Sequence, residues 1–222
     1  MTTLALLHTG PAVIDPIKQL VSEHIPTARQ IHLLDDSVIP EIEAEGHITD
    51  AIRERLQLLG RAASLAGADA IMFTCSSISQ LAVEVERATD LPTFRIDEAM
   101  ADEAVRLGSR IAVVATLGTT LDPTCRLIEE RAAEAGREVE LTRYLCREAF
   151  ERLSAGDPDG HDGLVAERIA EAAADHDVVV LAQASMARIL PRITVDVPVL
   201  TSPQLGVSCV AALIDSDNGG AR

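Results

Sequence analysis

The chain has few aromatic residues and little positive charge. Its 222 residues include no tryptophan, one tyrosine and three phenylalanines. A core must therefore be built from Ala, Val, Ile and Leu, and a hydrophobic content of 47% is enough for a sizeable one. Nineteen Lys and Arg stand against 35 Asp and Glu, a net charge of −16. This balance repels nucleic acid and anionic membranes, so neither is expected as a partner.

Several motifs are also missing. No apolar run approaches the ~20 residues that span a bilayer, and the N-terminal MTTLALLHTG lacks the basic region of a secretory signal. We therefore expect a cytoplasmic protein. Nothing matches G-x-G-x-x-G or a P-loop, which leaves nucleotide binding without support. The stretch GDPDGHDG at 156–163 lacks the spacing of a calcium loop and is interpreted as a loop before a helix.

Acidic residues cluster between residues 35 and 47, and we interpret this segment as a solvated loop, with a position over the site as the less favoured alternative. Its titratable side chains are Asp35, Asp36, Glu41, Glu43, Glu45 and His47.

The cysteines are widely spaced and form no C-x-x-C pair: Cys75, Cys125, Cys146 and Cys209. In a reducing compartment this pattern disfavours both disulfides and zinc. Each is expected to be a small buried hydrophobe except Cys75, which follows the apolar run AIMF and lies in a polar turn, TCSSIS. We expect this turn to open the next helix, so that Ser76, Ser77 and the free N–H groups at the helix N-terminus form an anion-binding cradle that lowers the thiol pKa.

The sequence contains two similar copies of one pattern, about one hundred residues apart. LLHTGPAVIDPIKQL aligns with VVATLGTTLDPTCRL, which puts Thr9 on Thr116. ADAIMFTCSS aligns with HDVVVLAQAS, which puts Cys75 on Gln183, and DLPTF aligns with DVPVL. Three matches in the same order, at nearly constant spacing, indicate two similar half-domains.

Each half alternates short apolar runs with helix-period stretches. The predicted strands are Leu4–Leu7, Gln30–Leu34, Ala70–Phe73, Arg110–Ala115, Val139–Tyr144 and Val178–Leu181. The predicted helices are Ile14–Glu23, Thr49–Ala66, Leu121–Ala135 and Gly163–Ala174. Continuously apolar strands that alternate with helices form parallel sheets covered on both faces. We predict an α/β fold with two pseudo-symmetric, flavodoxin-like half-domains over 1–100 and 101–215. A C-terminal helix, 203–215, is a candidate to pack back on the first half.

The two halves, the TCSS turn, the ATLGTT turn and the LAQASMA turn together resemble the aspartate/glutamate/hydantoin racemase superfamily, which includes arylmalonate decarboxylase and maleate isomerase. The resemblance covers essentially the whole chain. It implies a cofactor-free, metal-free site in the cleft between the halves, where two thiols face opposite sides of the carbon α to a substrate carboxylate. One thiolate removes the α-proton and the other thiol delivers one to the opposite face. The implied substrate is a small carboxylate, and we expect a homo-oligomer.

Carried over residue by residue, the first catalytic cysteine falls on Cys75 and the second on Gln183, whose amide is neither acid nor base near neutral pH. Ser185 has a hydroxyl, but its pKa is too high to act unaided. The resemblance assigns substrate binding to Thr9, Ser76, Ser77, Thr116, Gly118, Thr119, Thr120, Ala184 and Ser185. Thr120 or Asp122 is alternatively a helix cap. His8, at a strand end, is either a site residue or a structural histidine.

Three functions fit these residues. The first is a cysteine-dependent racemase-like enzyme. The second is a one-cysteine decarboxylase or lyase of the arylmalonate decarboxylase type. That enzyme resembles a one-cysteine version of this site, but its thiol comes from the second half, whereas Cys75 is in the first. The third is a non-catalytic protein that binds small carboxylates.

Overall fold

The computed structural model describes residues 2–219, the last five by their backbone alone. The strands are β1 Thr3–His8, β2 Arg29–Leu34, β3 Ala70–Phe73, β4 Thr93–Arg95, β5 Arg110–Ala115, β6 Glu140–Leu145, β7 Val178–Leu181 and β8 Val199–Thr201. They form two four-stranded sheets, ordered β2-β1-β3-β4 and β6-β5-β7-β8, in which every pair is parallel. The predicted α/β fold with two parallel half-domains is confirmed.

Helices connect the strands. They are α1 Ile14–His24, α2 Val38–Glu45, α3 Asp50–Leu65, α4 Ala82–Thr89, α5 Glu98–Leu107, α6 Gly118–Glu134, α7 Arg147–Ser154, α8 Pro158–Asp175 and α9 Ser202–Gly219. Shorter 3-10 segments cover Pro11–Val13, Ser79–Leu81 and Ala184–Arg192. Within the described part of the chain, no helix is long and apolar enough to cross a membrane.

The chain divides into two compact units. The first runs to Ile96 and resumes at Pro203, and the second runs from Asp97 to Ser202. Each unit contains one sheet, because the first four strands lie in one unit and the last four in the other.

Both units fix the start of their central strand with an aspartate. In the first, Asp69 Oδ2 accepts from the backbone N–H of Thr3 at 2.7 Å, and in the second, Asp177 Oδ2 accepts from that of Arg110 at 3.0 Å. The backbone N–H and the guanidinium of Arg110 hold the pKa of Asp177 well below its usual range. The same contact at equivalent positions is a structural trace of the sequence repeat.

Helix α9 packs on the first sheet. Val207 and Val210 are buried in one cluster with Leu4 and Ile17. This inward face turns Cys209 outward, so the expectation that Cys209 is buried was wrong. The helix lies close to the neighbouring backbone at Gly206, where an added Cβ would lie 2.3 Å from a backbone oxygen. That oxygen belongs to Ile96, directly after β4.

The acidic segment after β2 is a helix and not the loop that we predicted. Glu41, Glu43 and Glu45 lie on α2, which has a buried face formed by Val38 and Ile42. A two-residue apolar signal is too short to reveal this helix from sequence.

The glycine-rich stretch 156–163 does not precede a helix as predicted, because α8 begins inside it. Pro158 is the first helical residue, and the carboxylate of Asp157 caps the helix by accepting from Gly160 N–H at 2.9 Å. The stretch is therefore a capped helix start.

We predict that Gly206→Ala lowers the free energy of unfolding by roughly 1–3 kcal/mol, because a methyl group overlaps a backbone oxygen that cannot rotate away. Gly163→Ala is the matched control, since its Cβ meets nothing within 4 Å in a helix. That variant should gain up to about 1 kcal/mol from helix propensity. Urea unfolding measures both, and an unaffected Gly206→Ala protein would contradict the close packing of α9.

Candidate active site

The candidate residues of each unit follow two neighbouring central strands. β1 pairs with β2 on one side and with β3 on the other, and β5 pairs likewise with β6 and β7. The chain thus reverses its direction of winding between β1 and β3 and between β5 and β7. Ligands of open α/β sheets bind at such points, beyond the carboxyl ends of the strands.

In the first unit, Cys75 lies two residues beyond the end of β3. Its side chain is half-buried and packs against a core cluster that includes Phe73 and Ile78. Ser76 and Ser77 are buried in the same turn, which is closed by a hydrogen bond from Ile78 N–H to the carbonyl of Cys75 at 3.3 Å. The fold thus places Cys75 at a strand end, followed directly by two buried serines.

The turn does not open an α-helix, which corrects our prediction. The 3-10 segment Ser79–Leu81 comes first, and α4 begins only at Ala82. Because the field of a helix dipole acts within the first turn, it does not act directly on the Cys75 thiol. The helix start that we predicted at this turn is therefore absent.

A histidine pair lies under the same turn, and His32 and Thr74 were missed by the sequence analysis. Thr74 Oγ1 donates to the carbonyl of Leu7 at 2.9 Å, so it accepts from His8 Nδ1, also at 2.9 Å. Neutral His8 then accepts at Nε2 from His32 Nδ1 at 3.0 Å. Their positions on β1 and β2 are two residues apart in register, on one face. The contact between His8 and His32 depends on the register of β1 and β2, which the sequence alone does not give.

Burial keeps the His8 ring neutral. The residue is 1% exposed, and burial together with the neighbouring His32 lowers the pKa of His8 from 6.5 to about 4. Both ring nitrogens are already hydrogen-bonded, so His8 supports the position of Thr74, the residue before Cys75.

We predict that the free energy of unfolding falls as the pH drops from 6.5 to about 4. In this window the unfolded chain binds a proton at His8 and the folded protein does not, which gives a slope of up to about 1.4 kcal/mol per pH unit. Comparison with His8→Gln in urea unfolding isolates this contribution. The difference in stability between wild type and variant should shrink toward pH 4, and a constant difference would disprove the assignment.

In the second unit, Gln183 lies two residues beyond the end of β7 and bonds directly to Thr116. The backbone N–H of Thr116 donates to Gln183 Oε1 at 2.6 Å and its hydroxyl donates to the same atom at 2.9 Å. Thr116 is buried and Gln183 is half-buried. Thr116 was predicted to bind substrate, but both of these donors are occupied by Gln183.

Helix α6 starts earlier than predicted, so Gly118, Thr119 and Thr120 form its first turn. Its N-cap is Leu117, which makes no side-chain cap bond, so the alternative role of Thr120 or Asp122 as the helix cap does not hold. Thr120 is buried. Thr119 Oγ1 is buried without a hydrogen-bond partner among the described residues.

The segment after Gln183 is held by a buried carboxylate that the sequence analysis did not single out. Asp162, 5% exposed near the start of α8, accepts from Arg188 at 2.8 Å and from Arg192 at 3.1 Å. Both arginines belong to the 3-10 segment Ala184–Arg192, which is long for this conformation. Two ion pairs to one buried group fix the segment that begins with Ala184 and Ser185.

The other cysteines differ from Cys75 in burial. Burial raises the pKa of Cys125 to about 11, and it also raises that of Cys146. Neither is a thiolate near neutral pH. Cys209 is exposed on α9.

We predict that iodoacetamide labels Cys75 faster than Cys125 or Cys146 in a Cys209→Ser background, which removes the exposed thiol. Cys75 is half-buried while the other two are buried, and a thiolate is the reacting form. Mass spectrometry of tryptic peptides measures the three rates. Equal labelling of all three would count against a reactive Cys75.

Among the predicted site residues, Thr116 is hydrogen-bonded to Gln183. Ser76 and Ser77 lie in the same turn as Cys75, and Thr9 is buried just beyond β1. Our expectation that Cys75 and Gln183 face each other relates two separate units and stays a prediction.

Comparison with known proteins identifies the class to which this fold and these turns belong. The family model for Asp/Glu/Hydantoin racemase matches residues 7–210. No curated protein gives a significant sequence match. The chain belongs to the Asp/Glu/hydantoin racemase family.

Solved structures agree on the fold. Allantoin racemase from Klebsiella pneumoniae is 20% identical, with a TM-score of 0.73 over 98% of this chain and 89% of that one. Glutamate racemase from Aquifex pyrophilus is 15% identical, with a TM-score of 0.71 over 96% and 84%. Arylmalonate decarboxylase, as a glycine-to-cysteine mutant associated with sulfate, is 22% identical, with a TM-score of 0.59 over 99% and 94%. At these identities the likeness establishes the fold alone.

Proposed function

We propose that this protein is a cofactor-independent enzyme that transfers a proton at the carbon α to the carboxylate of a small acid, with Cys75 as the acid and base. The observation that carries the proposal is the half-buried thiol at the carboxyl end of β3, in a family whose members include racemases. The racemases and the decarboxylase with the same fold support an enzyme of this superfamily.

The chemistry needs a base and donors for the developing negative charge. The Cys75 thiolate removes the α-proton, and the electron pair of the broken C–H bond moves into an enolate-like carboxylate. Neutral donors stabilise such an intermediate without adding a competing base. Hydroxyls of Ser76 and Thr119 and first-turn N–H groups of α6 are the donors that we assign to the carboxylate.

With Gln183 in place of a thiol, Cys75 is the one side chain that we assign to proton transfer. The Gln183 amide cannot supply a proton to the opposite face of the carbon near neutral pH. Proton return by Cys75 then regenerates the same enantiomer and leaves only exchange with solvent. This residue favours a second candidate, a one-cysteine lyase, in which loss of CO₂ from a malonate-type acid forms the enolate and Cys75 protonates it on one face.

We predict that wild-type protein in deuterated water exchanges the α-hydrogen of a suitable acid faster than it racemises it, or decarboxylates an aryl malonate to one enantiomer. Gln183→Cys should raise racemisation relative to exchange, because it restores a second acid. Cys75→Ala should abolish both, a loss of more than about a hundredfold for a missing acid–base group. Proton NMR and chiral chromatography measure exchange and inversion.

Cys209→Ser is the control, because it removes an exposed cysteine from α9 and should leave the rates unchanged. Inversion as fast as exchange in the wild type would mean that another group supplies the second proton, and Gln183 would not limit the site. Binding of small acids without exchange or decarboxylation would indicate a carboxylate-binding protein instead.

A further inference from the structure

The amide of Gln183 has only one possible orientation. A backbone N–H is always a donor, so the side-chain atom 2.6 Å from Thr116 N must be the acceptor Oε1. The opposite assignment would point the –NH₂ group at an N–H. The Thr116 hydroxyl, 2.9 Å away, donates to the same oxygen and fills its second lone pair. Thr116 therefore acts as a clamp on the amide.

This orientation turns the other end of the amide away from Thr116. Gln183 Nε2 carries two N–H donors, and it has no hydrogen-bond partner in the part of the chain that the structure describes. The residue is half-buried, and Nε2 is not one of the enclosed side-chain atoms that lack a partner, so its donors are open to a ligand. What Gln183 offers to a ligand is thus two donors and no acceptor.

The two chain segments that meet in the bond between Thr116 and Gln183 are uncharged. The segments 116–120 (TLGTT) and 182–187 (AQASMA) contain no charged residue. The nearest charges in sequence are turned to other partners, Asp122 to Arg143 at 4.0 Å and Arg188 to Asp162 at 2.8 Å. These two described segments therefore contain no carboxylate that would hold an ammonium group.

We infer that Gln183 determines specificity by donating from Nε2 to an unprotonated oxygen of the substrate, and that Thr116 is the positioning residue that fixes this donor. The substrate class is a small acid or imide that presents a carbonyl or carboxylate oxygen to Gln183, such as a malonate-type acid or a hydantoin ring. The inference rests on the proposed function and adds a role for the residue at the position of the second thiol. As the enolate forms, the same donor faces increasing negative charge, where such a bond is strongest.

The test is isothermal titration of the full-length protein and its variants with malonate, a carboxylate probe, at pH 7. Gln183→Met removes the donors, and a hydrogen bond to a charged group corresponds to a roughly tenfold to hundredfold weaker Kd. Gln183→Glu keeps the oxygen bound by Thr116 but places a second, negatively charged oxygen where the donors were. It should weaken malonate binding further, to more than about a hundredfold below wild type.

Thr116 is tested by a pair of variants. Thr116→Val removes the hydroxyl and should weaken malonate binding by about threefold to tenfold, whereas Thr116→Ser keeps it and should stay within about twofold of wild type. Gln204→Met is the matched control, a glutamine exposed on α9 that should change nothing. In ¹⁵N spectra, the Gln183 side-chain amide signal should shift on adding malonate, in wild type and in Thr116→Ser.

Wild-type binding retained in Gln183→Glu, or no binding of malonate by the wild type at tens of millimolar, would overturn the inference. Neither result depends on the thiol, because binding requires no proton transfer. If Cys75→Ala still catalyses exchange while the Gln183 variants lose malonate, the proposed function fails and this inference stands. If Cys75→Ala loses exchange while Gln183→Glu binds as wild type does, the reverse holds.

Discussion

The pairing of each central strand with a parallel neighbour on both sides determines where chemistry can occur in this fold. β1 and β5 are buried along almost their whole length and must satisfy their backbone groups on both edges. Because these pairs are parallel, the neighbouring strands end at the same edge of the sheet, and residues far apart in sequence meet there. Thr116 and Gln183 are 67 residues apart, yet they bond because Val114 lies beside Leu181 in the ladder.

The predicted strands are most accurate where burial is continuous. The apolar runs Ala70–Phe73, Arg110–Ala115 and Val178–Leu181 are strands with the predicted bounds. Strands β4 and β8 were not predicted, because each has only three partly buried residues and so shows no periodic signal. The early start of α8 was also not predicted, although Asp157 as the N-cap and Pro158 as the first helical residue are local signals for it.

For the site, the sequence identified positions but not partners. It pointed to Cys75 and Gln183 because each follows a buried strand, and strand ends can be read from composition. The hydrogen bonds around them depend on side-chain geometry: Gln183 engages the donors of Thr116, and His8 bonds Thr74. The predicted helix start at Cys75 was wrong, because a 3-10 segment follows the turn and α4 begins only at Ala82.

The two halves have kept the contacts that define the sheet and diverged in those that define the site. Asp69 and Asp177 still hold the first residues of the central strands. At the strand ends, a thiol in one half corresponds to a clamped amide in the other. Exchanging Gln183 for a thiol would do more than supply an acid, because it would also release the N–H and hydroxyl of Thr116 for a ligand. In the function that we propose, acid chemistry and anion binding at this position are therefore coupled through one side chain.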